Sequence, residues 1–173
     1  MKKLTAVIVA LLAVKSVLLA QQPFEVFAER PNEKTFKGIL TREVIAADTV
    51  MVKWWKPNAA AYTPDATAKE LLTKYKDSVQ LLVFMGTWCE DSQFIIPKLF
   101  ALADATGFST DHITLIGVDR QKKTVSNLSE ALNVTNVPTI IVYKKGKELG
   151  RVVEYGKYGI FDKELGEILR QLN

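Results

Sequence analysis

Between Leu81 and Ala105 the chain changes its hydrophobic period once, and that change limits the folds open to it. Leu81 to Met85 reads LLVFM, the apolar centre of a strand predicted over 79–85. A strand with no polar alternation is covered on both faces, which points to a sheet between two layers of helices. After Gly86-Thr87-Trp88-Cys89, the residues Phe94, Ile95, Leu99 and Leu102 recur at helical spacing. A helix therefore begins close to Cys89. Pro97 lies inside it and removes the bond to the carbonyl of Gln93, which predicts a kink there.

Cys89 is the only cysteine, so an internal disulfide is excluded. At a helix N-terminus its thiol faces unpaired backbone N–H groups and the positive end of the helix dipole. That end favours the thiolate by about 0.5–2 kcal/mol. Glu90 and Asp91 oppose it, since a carboxylate about 7 Å away costs roughly 0.6–2.4 kcal/mol. The two effects are similar in size, so a strongly acidic thiol is not expected. Glu90 and Asp91 act as tuning groups, and as first-turn acids they also complement the dipole. Ser92 lies one turn on and on the same face, where its hydroxyl is expected to donate to the thiolate. Free cysteine is often core filling. The setting between Gly86-Thr87-Trp88 and two acids argues against that here, because a core cysteine belongs inside the apolar run.

The rest of the chain supplies a sheet around this junction. Residues 21–37 form an extended lead-in with one short strand near 24–27. Thr41 caps a helix running to about residue 53, ended by Trp54-Trp55-Lys56-Pro57. The paired tryptophans pack on the domain, and residues 57–64 form a linker. Thr63-Pro64 opens a helix to about residue 77. Ile113 to Val118 is a second buried strand and 127–132 a short helix. Thr139 to Tyr143 and Glu148 to Tyr155 are two more strands about a turn at Lys145-Gly146-Lys147, with Gly156 ending the second. An amphipathic helix over 161–172 closes the chain. From residue 79 the order is β-α-β-α-β-β-α. The first two strands are joined by a helix and run parallel, and the last two form an antiparallel hairpin. The fold class is α/β, a mixed central sheet with helices on both faces and an N-terminal helical extension.

The first twenty residues read as a signal peptide. Met1-Lys2-Lys3 is a charged start, Leu4 to Val14 is apolar, and Ala20 is a cleavage point. A spanning helix needs about 20 apolar residues, and Lys15 interrupts this run, so no stable membrane insertion is expected after cleavage. The expected organisation is residues 1–20 signal peptide, 21–77 extension and 78–173 main domain. Export implies the periplasm in a Gram-negative bacterium and secretion otherwise. Three of the basic residues lie in this segment. The remainder of the chain is near neutral, so the net charge of +4 is no nucleic-acid footprint. Cys89, Glu90, Asp91 and His112 make no metal set, because there is one soft ligand and the histidine precedes a different strand.

From residue 79 to 172 the chain resembles the thioredoxin superfamily. Trp88-Cys89-Glu90-Asp91-Ser92 stands where the family carries Trp-Cys-x-x-Cys. Pro97 follows the cysteine at the family's spacing. Asn136-Val137-Pro138-Thr139 resembles the cis-proline loop, and the Lys145-Gly146-Lys147 turn and Gly156 match the terminal hairpin. The resemblance implies a thioredoxin-like fold, Cys89 as nucleophile, Trp88, Val137 and Pro138 as substrate-binding residues, and no cofactor. It also implies disulfide- or thiol-bearing client proteins, or small thiols, as partners.

Two departures change what the resemblance implies. Ser92 replaces the second cysteine, and Val83 stands where the family often has a buried acid. A hydroxyl cannot resolve a mixed disulfide, and an acid that helps deprotonate a resolving thiol has nothing to act on. The expectation is a monothiol exchange protein that needs a second thiol from elsewhere. The alternatives are a non-catalytic peptide-binding module on the same fold and a homodimer linked through Cys89.

Overall fold

A computed structural model describes residues 23–173, so the expected signal peptide lies outside the described residues. Six strands, β1 (Phe24–Phe27), β2 (Thr35–Leu40), β3 (Gln80–Met85), β4 (Ile113–Gly117), β5 (Thr139–Lys144) and β6 (Lys147–Val153), form one sheet in the order β1-β2-β4-β3-β5-β6. β3 and β4 are parallel and β5 and β6 antiparallel, as their connections require. The described helices are α1 (Arg42–Ala47), α2 (Val52–Ala60), α3 (Ala66–Tyr75), α4 (Glu90–Thr106), α5 (Leu128–Ala131) and α6 (Phe161–Arg170). Among the described residues, no helix is long and apolar enough to cross a membrane.

Alternate residues of the central strands enter two different cores. Val83, Leu115, Ile140 and Val142 pack with Leu71, Ile95, Leu99 and Leu165 from helices on one face. Phe84, Ile116 and Ile141 pack with Val118, Val134 and Val137 on the other, where Leu128 of α5 leans on them. With a core on each side, the strand period of two shows no polar positions. This is the mixed sheet with helices on both faces that the sequence implies.

The extension differs from its sequence reading in four places. Strand β2 is not anticipated, because Lys37 and Gly38 interrupt its apolar pattern. It pairs antiparallel with β1 and β4, and Gly38 sits opposite Gly117. A Cβ on Gly117 would lie 2.2 Å from the carbonyl oxygen of Phe36, so the residue that weakens the strand by propensity is what lets β2 approach. The helix expected over 41–53 breaks at Asp48, whose Oδ1 accepts from the N–H groups of Val50 and Met51 at 2.8 and 3.2 Å. Trp54 to Pro57 do not end a helix. They lie inside α2, where Trp55 is buried against Phe100 with ring centroids 5.5 Å apart, and that packing outweighs the bond lost at Pro57. Helix α3 starts after Asp65, which caps Ala68 N–H at 3.0 Å in place of Thr63. Phe36, Leu40, Ile45, Met51 and Trp55 share one core with Leu81, Val83 and Ile95.

Helix α2 also completes α4. Pro97 has no N–H for the carbonyl of Gln93, and Asn58 Nδ2 donates to that oxygen at 3.1 Å. Asn58→Ala is expected to lower stability by about 1 kcal/mol in urea titrations. In a Pro97→Ala background the helix supplies its own N–H and the cost should shrink. Equal costs in both backgrounds would show that the Asn58 bond does not answer to the proline.

Candidate functional site

Cys89 is the N-cap of α4, with extended φ and ψ of −93° and 121°. Its N–H donates to Gly86 O at 3.0 Å, and its carbonyl accepts the first helical bond from Gln93 N at 2.9 Å. The side chain is half-buried. The thiol donates to the carbonyl oxygen of Val137 at 3.2 Å. Val137 and Pro138 are buried, and the peptide bond between them is cis. Pro138 O accepts from Glu154 N at 2.7 Å and Asn136 O from the Thr139 hydroxyl at 2.7 Å, so both ends of this loop are held.

Ser92 takes a different part from the one expected. It is fully buried, and its Oγ accepts from Gly86 N–H at 3.2 Å. No hydrogen bond joins it to Cys89. β3 ends at Met85, so the Gly86 N–H has left the sheet ladder and needs an acceptor. Ser92 points under the loop to supply one.

Thr87 was missed by the sequence reading. Its hydroxyl donates to Lys34 O at 2.7 Å and accepts from Phe36 N at 3.1 Å, tying the cysteine loop to β2. Gln93 Nε2 donates to Thr87 O at 2.8 Å. The signal for Thr87 could be found only by knowing that residues 35–40 pair beside this loop.

Trp88 lies over the second core and donates from Nε1 to Val118 O at 3.0 Å. The guanidinium of Arg120 lies 4.9 Å from its ring centroid. Arg120 is ion-paired with Glu33, and its backbone N–H donates to Glu29 Oε2 at 3.2 Å. An open depression of about 370 Å³ beside the thiol is lined by Arg30, Trp88, Cys89, Glu90, Asp91 and Arg120. Glu90 is exposed and Asp91 half-buried. The structure places Trp88, Cys89, Glu90 and Asp91 together with Val137, and beside them two arginines. One of them, Arg30, comes from the loop between β1 and β2.

The charges around the site are arranged in pairs. The hydrogen-bonded Arg120 holds Glu33 below the usual carboxylate range. Burial, and then the Asp91 carboxylate, push the Tyr155 phenol up. At the end of β4, burial alone would raise Asp119. The Lys37 ammonium at 2.9 Å and backbone N–H groups outweigh it and hold Asp119 below its ordinary value. The same contact raises Lys37.

Comparisons with known proteins agree with this architecture. The family described as Thioredoxin matches residues 60–163. A thioredoxin of Echinococcus granulosus is 31% identical over 84 residues, which are 49% of this chain and 73% of that one. Protein disulfide-isomerase A4 of Bos taurus is 28% identical over 141 residues, 78% of this chain and 21% of that longer protein. Among solved structures, an HIV epitope-scaffold protein superposes with a TM-score of 0.50 at 17% identity, covering 73% of this chain and 86% of that one. That likeness concerns the fold alone.

A depressed Asp119 stabilises the fold above its unfolded pKa of about 3.9, and that contribution is lost as pH falls through the lower folded value. Asp119→Asn should therefore lower the melting temperature at neutral pH, leaving Lys37 without its closest partner. It should also flatten the fall in stability below about pH 4 relative to the parent protein. An unchanged acid limb in thermal melts would show that Asp119 carries none of it.

Proposed function

This chain belongs to the thioredoxin family, and from that premise we propose that it is a monothiol thiol–disulfide exchange protein. The observation that carries the reading is the placement of the lone Cys89. It stands at the start of α4, against the Val137 carbonyl, with a hydroxyl and no thiol at position 92.

The Cys89 thiolate attacks one sulfur of a client disulfide. A bond forms between Cys89 and that sulfur as the client's own S–S bond breaks, and the electron pair leaves on the second client sulfur. A further thiolate, from the client or a small thiol, then attacks the client sulfur of the mixed disulfide, and Cys89 departs as thiolate. Electrons are only redistributed among sulfurs, so the cycle calls for no cofactor. In the resting thiol the Cys89 proton is given to Val137 O. Once that proton is lost the carbonyl is free to pair with the backbone of an extended client. Pro138 shapes the adjoining cleft, Trp88 forms its wall, and Glu90 and Asp91 face the approaching client together with Arg30 and Arg120.

This chemistry suits an oxidising compartment, where client disulfides form. The charged start and apolar run of residues 1–20 support export through a cleaved signal peptide. The division into a 1–20 signal peptide, a 21–77 extension and a 78–173 thioredoxin-like domain belongs to the same reading.

Mild oxidation in the presence of client extract should give mixed disulfides with the parent protein and none with Cys89→Ser. Their absence from the parent would overturn the reading, and unchanged client binding by Cys89→Ser would favour a non-catalytic binding module. Ser92→Cys should raise the rate of dithiol-driven disulfide reduction by about tenfold or more, because the introduced thiol resolves the adduct internally.

A further inference from the structure

A second cavity, of about 420 Å³, opens between the chain before α3, the side of α4 and the start of α6. It lies on the far side of Tyr155 from the cysteine site, since Tyr155 lines the cavity and also stands against Asp91. At its wall is Asp162, which is 1% exposed. Asp162 Oδ2 accepts from the Tyr62 hydroxyl and from Asp65 N–H at 2.8 Å. Asp162 Oδ1 has no partner, the one such buried side-chain atom among the described residues. A buried oxygen left unpaired costs free energy of the order of a lost hydrogen bond. Burial and the neighbouring Asp162 charge push the Tyr62 phenol far up, so Tyr62 remains a donor and cannot exchange roles with the acid.

The cavity also holds a cation that makes no direct ion pair. Lys98 Nζ stands 3.0 Å from the centre of the Phe94 ring, and among the described residues it makes no ion pair. Burial draws its ammonium below the usual lysine range and Asp162 opposes that shift. Asp65, whose Oδ1 is engaged by Ala68 N–H, and Thr63 also line the cavity, and its open side is apolar: Phe94 is 42% and Ile160 54% exposed. Each charged group restricts the occupant. An isolated cation that satisfied Asp162 would meet Lys98, and an isolated anion that paired with Lys98 would meet Asp162. A group carrying both charges beside an apolar tail satisfies all three surfaces.

We propose that this cavity binds a zwitterionic α-amino acid with an apolar side chain, its ammonium donating to Asp162 Oδ1, its carboxylate pairing with Lys98 and its side chain lying on Phe94 and Ile160. Lys98 is the flexible side chain whose swing off the Phe94 ring makes room for the ligand. The proposal is independent of the chemistry at Cys89.

Calorimetric titration of the protein with L-leucine, N-acetyl-L-leucine and L-leucinamide tests it. Leucine should bind saturably, and each blocked derivative should bind at least about tenfold more weakly. Lys98→Met keeps the apolar stem and should weaken leucine binding by a similar factor without touching the acid. Asp162→Asn keeps an acceptor for Tyr62 and Asp65 and should weaken leucine more than N-acetyl-leucine. No saturable binding of leucine, equal binding of the three ligands, or full binding by Lys98→Met would overturn the proposal.

Discussion

Four residues, Gly86 to Cys89, join a strand buried on both faces to a helix whose first turn lies beside a cleft, and their polar backbone groups must be paired without a sheet ladder. The chain closes this account with its own side chains. Ser92 Oγ takes the N–H of Gly86, Gln93 Nε2 gives to the carbonyl of Thr87, and Cys89 N–H turns back to Gly86 O. The Thr87 hydroxyl then fixes the loop to β2 through two bonds of opposite sense. The cysteine is therefore held from below by α4 and from the side by the sheet. Its position relative to Val137 follows from bonds made by its neighbours.

That dependence gives the N-terminal strands a role at the site. β2 supplies the partners of Thr87, and Lys37 on β2 pairs with Asp119 at the end of β4. The loop before β2 carries Arg30 to the depression beside the thiol and Glu33 to the guanidinium that covers Trp88. These ion pairs are partly exposed, and each contributes little to stability. They fix where the positive groups stand, opposite Glu90 and Asp91. On the exchange function proposed above, a client approaching Cys89 would meet alternating charge on one side and the Val137 loop on the other, a rim suited to orienting clients more than to attracting net charge.

The core of the fold was legible because its signals are local. LLVFM at 81–85, the Pro97 spacing, the Val137-Pro138 pair and the Lys145-Gly146-Lys147 turn each announce their element without reference to distant residues. The extension was less legible because its elements depend on partners far away in sequence. Thr35–Leu40 is a strand through its neighbours β1 and β4, with a glycine at its centre that propensity counts against it. Pro57 sits in a helix because Trp55 is anchored on Phe100. At the candidate site, motif positions alone pointed to Cys89, Trp88 and Val137, which the fold brings side by side. They did not reach Thr87 and Arg30, which come to this loop only through the β1–β2 hairpin. Nothing in sequence marks Asp162 as buried against Tyr62.

The serine at position 92 shows how one substitution fits the chemistry and the architecture together. As a motif position it removes the resolving thiol, which by itself would only subtract. In place, its oxygen accepts from Gly86 N–H inside a fully buried pocket. Sulfur is larger and a weaker acceptor than a hydroxyl oxygen, so a thiol there would serve the Gly86 amide less well. The hydroxyl thus stabilises the loop that presents Cys89 while being unable to form a disulfide with it. Val83, buried and apolar in the strand just before, completes the same environment. Beneath the half-buried thiol the interior has no titrating group on either residue, and the charged groups near Cys89 stand on the outer face, with Trp88 and the rim.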